Sequence, residues 1–546
     1  MHQTPRLIAT GALAICLAAP AAALADVKLP AFFGDHMVLQ QELPIPVWGT
    51  ADPGEAVTVS ASGESAKTTA GPDGKWMVKL DPLSPSDKAT TLTVTGKNTL
   101  TFQDVLIGEV WVCSGQSNME FPLQGAHNAA TAIPAATDPQ LRLFHVDHKT
   151  SHTPVDDVKG KWELSSPATV RTFTAVGYFF GKELRARLKR PVGLIESNWG
   201  GTPAQAWTSL DGLGKDPILS QYVKDWHSID ANYTRAAADY PAAQAAFRQA
   251  QADWNTKYQK DWIATLAQWN QAVQQAVAAK QPLPRRPATP APMPQAPADP
   301  EGGPNSASTL YNGMIHPLQP FAIRGAIWYQ GESNAGRAEE YRTLFPRMIT
   351  DWREKWGEGD FPFLFVQLAA FGHDEVGWPV LRDAQAGTLS LPKTGMATAI
   401  DIGLPDNIHP MDKEDVGKRL ALSALHVAYG QRLIYSGPIF KSLSKNGSSL
   451  AVSYKHLGGG LVIGKSPWIG PHAEALPMDR LVGFEIAGAD GKWAPADAKI
   501  DDDTVVLSGS TVLDPVAARY DWKAYPEGNL YNKAGLPATP FTGKAQ

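Results

Sequence analysis

Five apolar runs in the middle of the chain constrain its fold more than any other feature. Each run has the length of a strand, and each is apolar on both faces. Runs of this kind are typical of parallel strands that helices cover on both sides. They occupy residues 110–113, 192–197, 323–330, 363–368 and 396–401. The pattern predicts an α/β domain with a doubly wound parallel sheet of about five strands.

Helical patterns alternate with these runs, as a doubly wound sheet requires. Apolar side chains recur three and four residues apart in four stretches, which are 176–188, 341–356, 380–389 and 411–429. We therefore expect one α/β domain over residues 105–435. Because the chain has 546 residues, it exceeds the usual size of one hydrophobic core, and further domains are expected on either side.

The two ends of the mature chain have a β pattern instead. Short alternating runs separated by Pro-Gly and Asp-Gly turns predict a β-sandwich domain over residues 26–104. Similar runs return after residue 435 and predict a β-rich segment over 436–546. This segment either forms its own sheets or shares a sheet with the N-terminal domain.

A long insertion interrupts the α/β rhythm at about residues 211–308. Its middle carries one apolar helical stripe, formed by Trp254, Tyr258, Trp262, Leu266, Trp269, Val273 and Val277. The stripe packs against another helix or the domain surface, or it forms an aromatic platform or lid over a site. The stretch 282–304 is dense in proline and alanine, and it predicts an extended loop or linker.

The first 25 residues have the pattern of a secretion signal. Arg6 precedes an apolar run at 7–19, and the small residues Ala23 and Ala25 form a cleavage site before Asp26. Ile15 before Cys16 is not the small residue that lipid attachment needs. We expect export to the periplasm or the cell exterior. Removal of the signal leaves Cys113 as the one cysteine, which excludes an intrachain disulfide.

Charge and hydropathy exclude several classes of partner. The formal net charge of -5 and the lack of a Lys/Arg-rich run argue against nucleic acid binding. No later segment has the roughly 20 apolar residues that span a bilayer. The scattered histidines at 127, 145, 148 and 152 match no usual ligand spacing, so we expect no metal and no other cofactor. The oligomeric state is left open.

Ser117 is the first candidate for chemistry. It follows the run at 110–113, and ligands of open α/β sheets gather at the carboxyl ends of strands. Gly115 permits a sharp turn, and residues 118–120 can open a helix whose N–H groups favour a developing oxyanion. A serine in such a turn is often structural, and the GxSxG pattern of α/β hydrolases is absent. Ser117 therefore needs partners elsewhere in the chain.

Asp406 and His409 supply a candidate base and acid. They stand three residues apart in the loop DNIHP, which follows the run at 396–401. This spacing lets a carboxylate hold one imidazole nitrogen while the other nitrogen faces Ser117. By themselves the two residues are also compatible with a structural role.

Two further strand ends carry candidate oxyanion donors. Gly200 and Gly201 follow the run at 192–197, where bare backbone N–H groups can approach a substrate oxygen. Gln330 ends the run at 323–330, and Glu332 and Asn334 follow it. Glu332 either assists His409 or orders its own loop. The joint occurrence of these groups at successive strand ends is much more specific than any one of them.

Several long blocks of the sequence resemble the sialate O-acetylesterase family, within the wider SGNH (GDSL-like) hydrolase group. They are dispersed from residue 35 to nearly 541 and leave out the central insertion. The blocks are DHMVLQQELPIPVWG, IGEVWVCSGQSNMEFPL, GLIESNWGGTPAQAW, STLYNGMIHPL, GAIWYQGESNA, DWREKWGEGDFPFLFVQLA, DNIHPMDKEDVGKRLAL and ARYDWKAYPEGNLYNKAGLPATPF.

The resemblance implies an SGNH-type fold and a mechanism. Ser117 would attack an acetyl carbonyl, His409 would move the proton, and Asp406 would orient His409. The N–H groups of Ser117 and Gly201 would form the oxyanion hole with the side chain of Gln330 or Asn334. Matching the blocks does not decide between Gly200 and Gly201, or between the two amides. No metal or organic cofactor is implied.

These observations favour a carbohydrate O-acetylesterase whose partner is an acetylated glycan. The acetylated sugar is either sialic acid or a plant hemicellulose such as xylan or xyloglucan. A noncatalytic carbohydrate-binding protein is the main alternative, motivated by the β-rich ends and 17 tryptophans. A lipase or thioesterase would need a long acyl channel, of which the sequence gives no sign. Cys113 is a rival nucleophile, but its apolar strand predicts a buried core residue.

Overall fold

The computed structural model describes residues 26–278, 281, 284–372, 376–465 and 479–545. The expected secretion signal at 1–25 lies outside the described residues. So do Pro282 and Leu283 of the proline-rich stretch and the side chain of Val277 in the apolar stripe.

Seven strands form the N-terminal part of the chain. They are β1 (Val38–Gln40), β2 (Ile45–Thr50), β3 (Ala56–Ala61), β4 (Glu64–Thr69), β5 (Lys75–Leu80), β6 (Ser86–Thr95) and β7 (Thr99–Gly115). Strands β2 and β5 pair with each other, while β4, β3, β6 and the first half of β7 form an antiparallel sheet that β1 extends. In β5 every second side chain is buried, as expected where one face of a sheet meets a core.

The 17-residue strand β7 continues from this part into the α/β domain. Its first half pairs with β6, and its second half is the centre of the large parallel sheet. The expected boundary between residues 104 and 105 therefore lies inside one strand. The two regions also share one hydrophobic core.

The central sheet has the strand order β13-β12-β11-β7-β10-β8-β9. Its further strands are β8 (Asp138–His145), β9 (Trp162–Ser165), β10 (Val192–Asn198), β11 (Gly325–Tyr329), β12 (Phe363–Gln367) and β13 (Thr394–Thr398). All five expected strands are present and parallel, and β8 joins them in parallel. Only the edge strand β9 runs antiparallel, against β8. The apolar runs in the sequence predicted neither β8 nor β9.

The order reverses direction at β7, because the chain first builds β10 and β8 on one side and later β11 to β13 on the other. Such a switch point opens a crevice outside the carboxyl ends of the strands. Ser117 follows the carboxyl end of β7 directly.

Nine α-helices accompany the strands in the described residues. They are α1 (Ser117–Glu120), α2 (Ala129–Ala132), α3 (Ala175–Leu188), α4 (Leu210–Gly214), α5 (Ser220–Trp254), α6 (Lys260–Ala278), α7 (Ala338–Trp356), α8 (Gly377–Gly387) and α9 (Lys413–Val427). The four predicted helices correspond to α3, α7, α8 and α9. Shorter 3-10 and π turns occupy Leu123–Gly125, Ala204–Trp207, Pro217–Leu219, Asn255–Gln259, Tyr311–Ile315, His316–Leu318, Glu332–Arg337, Thr388–Ser390 and Ile400–Ile402.

The helices cover both faces of the parallel sheet. On one face Cys113 and Trp111 of β7 contact α3, which packs on α9. On the other face Trp328 of β11 packs against Trp352 of α7. The register places Trp328 beside Ser114, whose side chain points opposite to that of Cys113. The doubly wound arrangement expected from the apolar runs is therefore present.

The insertion consists of α5, a π turn and α6, followed by the proline-rich stretch. No residue of the 35-residue α5 is buried. The apolar stripe faces the returning proline-rich stretch: the indole nitrogen of Trp269 donates to the Pro284 carbonyl at 3.1 Å, and that of Trp254 donates to the Ala291 carbonyl at 3.4 Å. The stripe thus contacts an extended segment of the insertion itself.

The C-terminal segment forms its own sheets around a separate hydrophobic core. Its strands are β14 (Ile439–Asn446), β15 (Ser449–Lys455), β16 (Leu461–Ile463), β17 (Phe484–Ala487), β18 (Trp493–Pro495), β19 (Asp497–Asp501), β20 (Thr504–Ser508), β21 (Ala517–Tyr520), β22 (Leu530–Asn532) and β23 (Phe541–Lys544). The described strands share no sheet with the N-terminal part. Fully buried Arg382 of α8 joins the segment to the α/β domain by donating to the carbonyls of Lys523 and Ala524, each at 2.8 Å.

Within the described ranges, no helix combines the length and the apolar character needed to cross a bilayer.

Candidate active site

Ser117 lies at the start of α1, directly beyond the carboxyl end of β7. The chain reaches it through Gly115, whose φ of 139° is one that other residues rarely adopt. A Cβ atom at Gly115 would stand 2.2 Å from the Tyr329 carbonyl oxygen of the neighbouring strand. Gly115 is therefore needed both for the turn and for the close approach of β11.

His409 meets Ser117 across the crevice. Its Nε2 atom lies 2.8 Å from the Ser117 Oγ, a hydrogen-bond distance. The two residues are 292 positions apart in the chain, and the sheet order brings their strand ends together. His409 sits in the loop before α9, whose first turn is capped by the Asp412 side chain. This is the geometry in which an imidazole can remove a proton from a serine hydroxyl.

Asp406 is placed differently from its predicted role. Its side chain is exposed, and the structure holds no hydrogen bond between Asp406 and His409, both of which are described. The backbone N–H of His409 donates instead to the side chain of Asn407 at 2.9 Å. The DNIHP loop thus carries Asp406 at the surface, with no hydrogen bond from it to His409.

The surroundings of His409 favour its neutral form. Partial burial lowers the pKa of His409, and the nearby Lys413 ammonium lowers it further. A neutral imidazole is the form that accepts a proton. His409 therefore keeps its neutral, proton-accepting form to lower pH than an ordinary histidine does.

Gly200 and Gly201 differ in what their N–H groups do. The Gly200 N–H donates to the Glu120 carboxylate at 2.5 Å. Gly201 adopts a φ of 75°, and among the described residues its N–H has no acceptor. The Ser117 N–H, at the first position of α1, likewise has no acceptor in the described parts of the chain. Both N–H groups are thus without an acceptor in the described residues, and the glycine loop comes close to Ser117: a Cβ atom at Gly200 would stand 3.3 Å from the Ser117 Cβ.

Glu120 holds this glycine loop in place, a role the sequence did not reveal. Besides Gly200, its carboxylate lies 3.2 Å from the His148 Nε2, and the His148 ring stacks on Trp199 at 4.1 Å. Burial opposes ionisation of Glu120, but the hydrogen bonds from His148 and Gly200 bring its pKa below the ordinary value. The loop is thereby anchored from α1, the helix that begins with Ser117.

The two candidate amides are both buried and share one network. Gln330 donates to the Asn334 Oδ1 at 2.7 Å and to the Thr202 carbonyl at 3.3 Å, which uses both N–H bonds of its amide. Asn334 donates one N–H to the Gln205 Oε1 at 3.1 Å. Its second amide N–H has no acceptor among the described residues. Of the two amides, Asn334 is the one that can still donate.

Glu332 belongs to a buried network with two residues that the sequence did not single out. Asn118 donates to the Glu332 Oε1 at 2.6 Å and to the Ile408 carbonyl at 3.0 Å, and Lys413 donates to the Asn118 Oδ1. Burial raises the pKa of Glu332 and lowers the pKa of Lys413 to about 7. The network ties the Ser117 helix to the His409 loop, and it shows Glu332 ordering loops without contacting His409.

The other residues considered from the sequence, Cys113 and the scattered histidines, have structural surroundings. Cys113 is fully buried, as predicted, and burial raises the pKa of its thiol well above the ordinary value. His145, His148 and His152 each pair with a different carboxylate. In the described ranges no three histidine, cysteine or acidic residues are grouped so that they could hold a metal ion.

The fold is a parallel α/β sheet with a serine–histidine pair at its strand ends, and the comparisons with known proteins place the chain in the class of carboxylic ester hydrolases. The chain belongs to the family described as carbohydrate esterases, sialic acid-specific acetylesterases, whose model matches residues 107–283 and 301–426. These matched ranges cover more than half of the chain and leave out most of the proline-rich stretch.

Similar proteins agree with this family. The sialate O-acetylesterase of Rattus norvegicus is 29% identical over 95% of this chain and 94% of its own length. The sialate O-acetylesterase of Homo sapiens is 27% identical over 98% of this chain and 96% of its own length. Among solved structures, a carbohydrate acetylesterase from Xanthomonas citri is similar with a TM-score of 0.74 and 36% identity, covering 95% of this chain and 99% of that one.

Proposed function

We propose that this protein removes O-acetyl groups from a carbohydrate through a serine acyl-enzyme. The observation that carries the proposal is the 2.8 Å contact between the His409 Nε2 and the Ser117 Oγ at the switch point of the sheet. Membership of the acetylesterase family supports the acetyl group as the one removed. The names of the relatives support a sugar as its carrier.

In the proposed first step, Ser117 attacks the acetyl carbonyl while His409 takes the hydroxyl proton. The oxyanion that develops accepts hydrogen bonds from the backbone N–H groups of Ser117 and Gly201 and from the Asn334 amide. Gln330, which the sequence offered as an equal candidate, acts by holding Asn334. Protonated His409 then donates to the departing sugar oxygen, and an acetyl ester on Ser117 remains.

In the second step, water attacks the acetyl ester while His409 takes a proton from that water. Collapse of the second tetrahedral intermediate returns the proton to Ser117 and releases acetate. Asp406 is proposed to accept a hydrogen bond from the other imidazole nitrogen of His409 when substrate is bound. Catalytic hydrogen bonds that are long or unformed in a free enzyme often form in the complex.

We further propose that the domain is of the SGNH type and that residues 26–104 form a small sandwich on it. The pairing of β2 with β5 next to the β4-β3-β6 sheet supports the second part. The secretion pattern at 1–25 supports export to the periplasm or the cell exterior. Sequencing the N-terminus of the protein recovered outside the cytoplasm tests export, with a start near Asp26 expected.

Acetate release from a chromogenic acetyl ester tests the proposed chemistry. Ser117→Ala is expected to lower kcat by at least about 10³-fold, by analogy with removal of a nucleophile in other serine hydrolases. The exposed Ser65 of β4 offers a matched control, since Ser65→Ala is expected to retain the wild-type rate. Equal rates for Ser117→Ala and wild type would refute the proposal.

The identity of the sugar that carries the acetyl group separates the remaining alternatives for the substrate. Comparing kcat/KM for O-acetylated sialic acid, acetylated xylan and acetylated xyloglucan identifies the class of glycan. Binding of a glycan without release of acetate from any of these esters would instead support a noncatalytic carbohydrate-binding protein.

A further inference from the structure

A cavity of about 270 Å³ lies beside the candidate active site, between the insertion and the strand-end loops. It is lined by α5, by two strand-end loops, by residues 301–309 and by His152. The residues that matter for its chemistry are Tyr222 and Trp226 of α5, Gln205 and Arg337 of the strand-end loops, Glu301 at the end of the proline-rich stretch and Asn305 directly after it. Its size is near the lower end of ligand pockets, about 300 Å³, and suits one small ring better than a long chain.

Gln205 connects this cavity to the proposed oxyanion donors. Its Oε1 accepts the hydrogen bond from Asn334, so the cavity wall and the amide network share one side chain. Gln205 is only 4% exposed, and among the described residues its amide N–H groups have no acceptor. The Gln205 Nε2 atom is not one of the fully enclosed side-chain atoms that lack a partner, so it is open to the cavity, where the oxygen of a water or a ligand can accept from it. The wall therefore offers an unused donor to an oxygen in the cavity.

The aromatic side of the cavity is rigidly built. The His152 ring lies between Trp226 and Tyr233, with ring centres 4.5 Å apart on each side and interplanar angles of 4° and 12°. The His152 Nε2 also lies 2.8 Å from the Asp230 carboxylate. These contacts dock α5 on the α/β domain and fix the orientation of Trp226. A fixed indole beside polar groups is suited to the apolar C–H faces of a sugar ring.

The charges around the cavity disfavour an acidic ligand. Arg337 is the one arginine or lysine among its described lining residues, whereas Asp225 and Glu301 both carry carboxylates there. Arg337 already lies 5.5 Å above the Tyr222 ring and 3.8 Å from Glu340. A ligand carboxylate would meet more negative than positive charge at this wall. A neutral ligand with hydroxyl groups meets no such penalty.

We propose that this cavity is a subsite for an uncharged sugar unit of the acetylated substrate. Trp226 and Tyr222 provide the apolar contact surface, and Gln205 and Asn305 provide amides for the hydroxyl groups. The proposal rests on the esterase function above and adds the class of substrate: a neutral oligosaccharide or polysaccharide in which a second sugar unit occupies the cavity. The insertion thus contributes to substrate choice through the docked face of α5.

The test compares two esters of different size. Trp226→Ala is expected to lower kcat/KM for an acetylated xylo-oligosaccharide about tenfold more than for p-nitrophenyl acetate, which carries no sugar unit. Lys224→Ala, on the same helix and outside the cavity lining, is the control. Thermal unfolding of both variants shows whether they are folded. Equal losses on the two esters, with Trp226→Ala folded, would overturn the subsite.

Two further measurements distinguish a failure of the proposed subsite from a failure of the proposed esterase function. An O-acetylated sialyl oligosaccharide is expected to depend less on Trp226 than the neutral one does, and a stronger dependence would overturn the uncharged assignment. Calorimetric binding of the unacetylated xylo-oligosaccharide is expected to weaken about tenfold in Trp226→Ala. If the wild type releases no acetate from any ester, the esterase proposal fails, and this binding arm still decides the subsite.

Discussion

The strand-end loops and the insertion differ in how their residues are held. At the strand ends, four polar side chains are at most 1% exposed: Gln330, Asn334, Asn118 and Lys413. Gln330 donates a hydrogen bond to Asn334, and Lys413 donates one to Asn118. In the insertion, α5 runs for 35 residues without a buried side chain. Groups in a dense buried network keep their positions, which chemistry on a carbonyl requires. The insertion is held to the α/β domain near the start of α5, by contacts of Trp226 with His152 and of Tyr222 with Glu340, and its proposed contribution is to the choice of substrate.

The largest effect is expected at Asp406. Ser117 and His409 are partly buried, whereas Asp406 is exposed, so this residue tests whether an exposed group takes part in the chemistry. Asp406→Asn is expected to lower kcat by about 10²-fold, because a neutral amide no longer stabilises the imidazolium that forms on His409. Acetate release under saturating substrate measures it. Asp503→Asn, at an exposed turn, is the control. A fall of less than about twofold would show that Ser117 and His409 act without this acid.

A smaller effect is expected where the half-buried Glu120 holds the glycine loop that carries a proposed oxyanion donor. Glu120→Gln removes the carboxylate that accepts from the Gly200 N–H and lies beside His148. The glycine loop then loses part of its support, and we expect kcat to fall about tenfold while KM changes little. Steady-state kinetics on a small acetyl ester separate the two parameters. A change confined to KM would contradict the role assigned to this anchor.

The buried cation at the site predicts a shift in pH dependence. Lys413 lowers the pKa of His409, so Lys413→Met should let that pKa rise. His409 must be neutral to act as a base, and activity is lost as pH falls through its pKa. The acid limb of the kcat/KM profile is therefore expected to move to higher pH. Lys418→Met, the same change on the outer face of α9, should leave the limb in place. A limb that stays or moves down in Lys413→Met would contradict the assignment.

The smallest effect is expected in the insertion away from the cavity. Trp269→Ala removes a half-buried ring whose indole nitrogen donates to the Pro284 carbonyl. We expect kcat/KM on a small ester to change less than about twofold and the free energy of unfolding to fall by about 1 kcal/mol. Denaturant titration and ester kinetics check the two quantities. A large loss of turnover would mean that the insertion and the strand-end loops are not separable in function.

The parallel sheet and the serine–histidine pair could be predicted because both leave local signals. The central strands are continuous apolar runs, and Ser117, Gly201 and His409 each follow one of them. Strand β8 was missed because it begins with Asp138-Pro139 and contains Arg142, a buried charge that interrupts the apolar run. Arg142 is satisfied by Asp104 of β7, a partner that only the folded chain brings near.

The supporting residues of the site were hidden for a related reason. Lysine is almost never fully buried, so a sequence alone places Lys413 at the surface. It lies instead against Phe121 and Tyr329, with its Nζ 4.7 and 5.3 Å from the two ring centres. The stacking of His152 between two rings of α5 also joins segments far apart in sequence. Such contacts depend on the tertiary fold, although the blocks GQSNME and HPMDKED did mark Asn118 and Lys413 as part of a shared pattern.

The central claim is that Ser117 is the nucleophile, and covalent labelling tests it most directly. The protein is treated with a phosphonate ester that reacts with activated serines, and the labelled peptide is identified by mass spectrometry. We predict one label on the peptide that carries Ser117, with loss of acetate release in proportion to labelling. Full loss of activity with the label on another residue, or retained activity with Ser117 fully labelled, would contradict the account.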